Sequence, residues 1–124
     1  MQFHELIILH RIVWLDDGWS ACDVYNSVWG CVVPSARSSP GGELVADKDK
    51  FPGGLSALSE MLHSKGLLLG IYSAPHRQTC GGFSGSLGYE KVDAAFFARE
   101  GVDAVKMDAG CQNDCSIHDG CLLR

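Results

Sequence analysis

Lys106 and Asp108 are the pair in this sequence best placed to do chemistry together. They close the stretch Val102-Asp103-Ala104-Val105-Lys106-Met107-Asp108, which Gly101 opens. A run this short, apolar at Val102, Ala104, Val105 and Met107 and bounded by turn signals, reads as a buried strand. Residues two apart on a strand point to the same side. A lysine and a carboxylate on one side of a buried strand need each other, or a ligand, to offset desolvation. The pattern alone leaves open an ordinary ion pair, a helix cap at a strand end and a ligand-facing site.

A second group of acids follows another apolar strand. Ile12-Val13-Trp14-Leu15 runs into Asp16-Asp17-Gly18-Trp19. Adjacent carboxylates repel and are costly to bury, but at the exposed end of a strand they offer acceptors to a polyhydroxylated ligand. A solvated acidic turn is the alternative, since Asp-Gly is a common turn pair. Trp19 offers an apolar face on which a sugar ring could stack.

The intervening elements must bring these ends together. Leu67-Leu68-Leu69-Gly70-Ile71-Tyr72 is continuously apolar, the pattern of a strand buried on both faces, and Tyr72 sits at its end. Before it, Leu55, Leu58, Met61 and Leu62 share one helical face, and Lys65-Gly66 supplies a C-terminal cation and stop. After it, residues 89–99 read as a helix with Tyr89, Val92 and Phe96 on one face, stopped by Gly101. Residues 20–50 read as mostly irregular, with a surface loop at Pro34 to Gly42, and Pro75 to Gly88 reads as a second long loop. The order β-loop-α-β-loop-α-β requires crossovers between parallel strands, so the fold class is α/β. Each long loop follows the C-terminal end of a strand, where α/β barrels place their active sites.

Composition excludes several alternatives. The chain has 124 residues, is 46% hydrophobic and 20% charged, and suits one small domain or part of a larger one. A net charge of −5 argues against nucleic acid as a partner and against a polybasic membrane surface. No stretch approaches the roughly 20 apolar residues of a membrane span. Leu6-Ile7-Ile8-Leu9, without a basic leader, makes no convincing signal peptide. Six cysteines nevertheless suggest an oxidising compartment, which together imply a missing or misassigned N-terminus. Cys22 and Cys31 could close a small loop of their own. Cys111, Cys115, His118 and Cys121 match no common structural zinc spacing, so no metal or other cofactor is expected.

Taken in order, these segments resemble glycoside hydrolase family 27, the α-galactosidase and α-N-acetylgalactosaminidase family. The resemblance rests on Leu15-Asp-Asp-Gly-Trp19, Phe51-Pro-Gly-Gly-Leu55, His63-Ser-Lys-Gly-Leu67, Leu69-Gly-Ile-Tyr72, Thr79-Cys-Gly-Gly82, Gly85-Ser-Leu-Gly-Tyr89, Gly101-Val-Asp103 and Lys106-Met-Asp108. It covers roughly residues 12–111 and implies a partial (β/α)₈ TIM barrel, about strands two to four with their helices, between atypical flanks 1–11 and 112–124.

That resemblance implies an α-galactosidase-like retaining hydrolase acting on terminal α-galactosyl residues. Asp108 is then the nucleophile, Asp16, Asp17, Trp19, Tyr72 and Lys106 bind substrate, and Cys80 pairs with Cys111. Secretion or a lysosomal or vacuolar location follows from the same likeness. The family's acid/base carboxyl lies on a later strand, beyond this sequence, so the chain alone is expected not to hydrolyse α-galactosides. A non-catalytic carbohydrate-binding or orphan fragment is the second reading, and a redox or zinc protein built on the cysteine-rich tail is a weaker third. Galactose and N-acetylgalactosamine are not separable here. The sequence departs from the family pattern at Gly18, at Cys22 to Ser39, at Ala74-Pro75-His76-Arg77 and in the position of Cys111, one residue late.

Overall fold

A computed structural model describes residues 11–110. The expectations for the flanks, including the apolar stretch at 6–9 and the tail residues Cys111, Cys115, His118 and Cys121, lie outside the described residues.

The centre is a three-stranded parallel sheet in the order β1-β4-β5, with β1 at Ile12–Leu15, β4 at Leu68–Ser73 and β5 at Ala104–Met107. The register pairs Leu15 with Ile71 on one side of β4 and Tyr72 with Lys106 on the other. β4 takes the middle because it is apolar on both faces: Leu69 and Ile71 are fully buried and Tyr72 nearly so. Helices α1, Gly54–Ser64, and α2, Glu90–Arg99, make the crossovers. The core joins Trp19, Leu44, Leu55, Ile71, Tyr72, Phe96 and Phe97. The strand ends at Asp16, Tyr72 and Asp108 therefore lie side by side, as the sequence predicts.

Three expectations are corrected. The segment at 20–50 is not mostly irregular: Cys22–Asn26 (β2) and Gly30–Pro34 (β3) form an antiparallel hairpin. A Cys22–Cys31 disulfide closes it, with the Cα atoms 6.0 Å apart. The face of α1 buries Leu55, Ser59 and Leu62, while Met61 is exposed. Ser59 goes inside because its hydroxyl donates to the carbonyls of Ser56 and of Glu100, at 2.9 and 2.7 Å, tying α1 to the end of α2. The face of α2 buries Asp93, Phe96 and Phe97, leaving Tyr89 exposed. A buried carboxylate rotates the helix away from its apolar periodicity because Arg37 meets it, at 2.6 and 3.0 Å.

The hairpin is fastened to the loop after β4 at closest range. Cys31 N–H donates to the Gly81 carbonyl at 2.7 Å. Gly82 has φ +85°, and a Cβ there would stand 2.1 Å from the Cys31 carbonyl oxygen. Gly82→Ala is expected to cost about 1–3 kcal/mol in strain and forced separation. Amide exchange should detect it as faster exchange at Cys31; an unchanged rate with unchanged stability would contradict the contact.

Candidate active site at the strand ends

The site begins with backbone geometry. Asp108 N–H donates to the Ser73 carbonyl at 2.9 Å, carrying the β4–β5 ladder one residue past the strand. This fixes Asp108 opposite the end of β4, where Tyr72 projects. Tyr72 Oη donates to Asp108 Oδ2 at 3.0 Å. The other oxygen, Oδ1, accepts the Gly110 N–H at 2.8 Å. Both oxygens are thus held, and the carboxylate has a defined orientation.

Those donors set its charge. The Gly110 N–H, then the Tyr72 hydroxyl, then the Lys106 ammonium, together outweigh partial burial and hold Asp108 below the usual carboxylate range. Tyr72 moves the other way. Burial pushes it up first, then the bond to Asp108 and the charges of Asp17, Asp108 and Asp16, to about 12. The phenol therefore keeps its proton and stays a donor throughout the neutral range. Lys106 Nζ lies 5.6 Å from the Tyr72 ring centroid, over its face.

The acids after β1 share this end of the sheet. Asp17 Oδ2 accepts the Gly81 N–H at 2.6 Å, which orients its carboxylate. Asp16 lines a cavity of about 260 Å³ with Trp14, Leu15, Tyr72 and Lys106. An ionised, oriented carboxylate beside a cation and two further acids suits attack on an electrophilic carbon of a polyhydroxylated ligand. Among the described residues no group of three or more His, Cys, Asp or Glu is arranged to hold a metal ion.

Of the expected site residues, Asp16, Tyr72 and Lys106 share this cavity, with Asp108 bonded to Tyr72 and Asp17 at the neighbouring turn. Trp19 does not join them. It is only 5% exposed, packs edge-on against Phe97 at 6.0 Å, and donates from Nε1 to the Tyr72 carbonyl at 2.8 Å. Its indole is a strut in the core, so it offers no stacking face. Cys80 is disulfide-bonded; its expected partner, Cys111, lies outside the described residues. The Gly110 and Gly81 amides are not legible in the sequence, since they belong to backbone rather than to any residue type. Equally unannounced is a hydroxyl relay from the residue after Tyr72, on the other face of the strand. Ser73 shares a 2.7 Å hydroxyl contact with Ser86, whose hydroxyl also approaches Asp93 at 2.7 Å.

The chain matches the family model Melibiase_2, alpha galactosidase A, over residues 5–122. The chain belongs to the alpha-galactosidase family. It is 44% identical over 104 residues to an alpha-galactosidase of Saccharomyces mikatae, covering 84% of this chain and 19% of that one. With alpha-galactosidase A of Homo sapiens the identity is 41% over 114 residues, covering 92% and 25%. Among solved structures, the alpha-galactosidase of Saccharomyces cerevisiae with raffinose matches at TM-score 0.67 and 40% identity, over 83% of this chain and 19% of that one. Alpha-galactosidase I of Mortierella vinacea matches at TM-score 0.68 and 38% identity, over 83% and 22%. The chain thus spans about a fifth of the length of these fungal relatives. No helix among the described residues is long and apolar enough to cross a membrane.

The Tyr72–Asp108 bond makes a pH prediction. Asp108 is depressed in the folded chain, so its contribution is present above the ordinary carboxylate range and is lost as pH falls through its folded value. Tyr72 is raised, so its contribution is present below about pH 10 and is lost as pH rises toward 12. Tyr72→Phe should raise the Asp108 titration midpoint, read by carboxyl-carbon NMR, and remove a phenol absorbance transition near pH 12. An unmoved Asp108 midpoint would refute the bond.

Proposed function

We propose that this chain carries the nucleophile strand of a retaining α-galactoside hydrolase. In this reading residues 12–111 form about strands two to four of a (β/α)₈ barrel, with residues 1–11 and 112–124 as flanks. Asp108 attacks the anomeric carbon of a terminal α-galactosyl residue and forms a covalent glycosyl-enzyme. Lys106, Asp16 and Asp17 accept or donate hydrogen bonds at the sugar hydroxyls, and Tyr72 orients Asp108. A second carboxyl about 5 Å away supplies the proton to the leaving group. A Cys80–Cys111 bond would tie the loops after β4 and β5. The disulfide chemistry of this chain suits a secreted, lysosomal or vacuolar setting.

The observation that carries this reading is the two-point grip on Asp108, by Gly110 N–H and Tyr72 Oη, at the C-terminal end of a parallel strand. Barrel enzymes place their chemistry at that end. Family membership and the named activity of the relatives support it.

The test uses an α-galactosyl fluoride, whose leaving group departs without a proton donor. Mass spectrometry should find a galactosyl adduct on the peptide containing Asp108, absent from Asp108→Asn. An alkyl α-galactoside, whose alkoxide must be protonated to leave and so needs the proton donor, should not be turned over by the chain alone. Saturable galactose binding with no adduct would favour the non-catalytic carbohydrate-binding reading instead.

A further inference from the structure

The β2–β3 hairpin has no role in the sheet, yet it is built rigidly. A disulfide spans it, and Asn26 Oδ1 accepts the N–H groups of Val28 and Trp29, at 2.7 and 3.1 Å, to close the turn. On this braced tip Trp29 is 78% exposed and Tyr25 65%. Large aromatic rings held in water on a preorganised element mark a binding surface.

Its place in the fold narrows the occupant. The hairpin emerges after the C-terminal end of β1, the end at which Asp16, Tyr72 and Asp108 gather. Two hydrogen bonds connect it to the rim: Cys31 N–H to Gly81 O, then Gly81 N–H to Asp17 Oδ2. It lies within Cys22 to Ser39, the segment whose sequence departs from the family pattern. Neighbouring residues Val24 and Tyr25 are both exposed, as are Val32 and Val33. With Val28 at 77% exposure as well, the hairpin is an apolar finger held in water. A sugar ring needs a single aromatic face.

We propose that the hairpin tip binds the leaving-group portion of an α-galactoside, with the exposed rings of Trp29 and Tyr25 as the stacking surfaces. The terminal galactosyl unit sits deepest, against the strand ends, and the remainder of the substrate points out past the rim toward the hairpin. This rests on the hydrolase reading above and adds a specificity element to it.

The test titrates the intact 124-residue chain with galactose and with raffinose, a galactosyl-terminated trisaccharide, following the indole N–H signals by NMR. Raffinose should shift the Trp29 signal and bind about tenfold more tightly than galactose, the scale of one aromatic contact. Trp29→Ala and Tyr25→Ala should reduce that advantage and leave galactose binding unchanged, since both side chains are exposed. Galactose binding with no raffinose advantage, or an advantage that survives Trp29→Ala, would overturn the hairpin's role alone. Binding of neither sugar would overturn the hydrolase reading and this proposal with it. Self-association abolished by Trp29→Ala, with the Trp29 signal indifferent to raffinose, would reassign the finger to a second copy.

Discussion

An alpha-galactosidase whose corresponding segment is replaced by residues 12–111 of this chain is expected to lose activity about a thousandfold or more when Asp108 becomes Asn. Removing a covalent nucleophile commonly has effects of that size or larger. Asn keeps the shape and one acceptor oxygen, so Tyr72 still has a partner, but the charge to which the proposed mechanism assigns the attack is gone. The Michaelis constant should change far less than the turnover number, because the loss falls on the chemical step. The hybrid carrying Asp108 supplies the control for folding. An active hybrid that tolerates Asp108→Asn would remove Asp108 from the mechanism and send the search to Asp16 and Asp17.

The largest stability effect is expected at Asp93. Its carboxylate is 2% exposed and receives both terminal nitrogens of Arg37, which also donates to the Gly42 and Gly85 carbonyls. Tyr89 covers the guanidinium, 3.9 Å from Cζ to the ring centroid. Asp93→Ala leaves a desolvated cation without its counter-charge, at a cost of about 3–5 kcal/mol. Replacing both partners, as Arg37→Met with Asp93→Leu, should cost less than Asp93→Ala alone, since no charge is then stranded. Denaturant unfolding of the three variants decides this. A double variant less stable than either single one would mean that the Gly42 and Gly85 carbonyls, not the ion pair, carry the contribution.

What the sequence made legible follows a physical division. β4 could be read because Leu67 to Tyr72 is apolar without interruption, and only a strand covered on both faces needs that. The shared rim could be read because parallel strands joined by helices leave their C-terminal ends together. The hairpin at Cys22–Pro34 could not, because its side chains are exposed on both faces and its register carries bulges, so no alternation marks it. The inward turn of α2 was hidden for a related reason. Asp93 lies on the core side through a partner 56 residues away, and no local pattern announces a long-range ion pair. Trp19 shows the limit of reading by residue type. An indole beside two carboxylates looks like a sugar platform, and only the packing against Phe97 shows that it faces inward.

That same indole has a mechanical meaning. Its Nε1–H clasps the carbonyl of Tyr72 while its backbone continues the acidic turn after β1. The turn that carries Asp16 and Asp17 and the residue that steers Asp108 are therefore joined through one side chain rooted among Phe96, Phe97 and Leu55. Core packing becomes a calibration device: the spacing between two neighbouring strand tips is set by how the indole seats on Phe97. A mutation there would shift the alignment of the carboxylates as well as weaken the core.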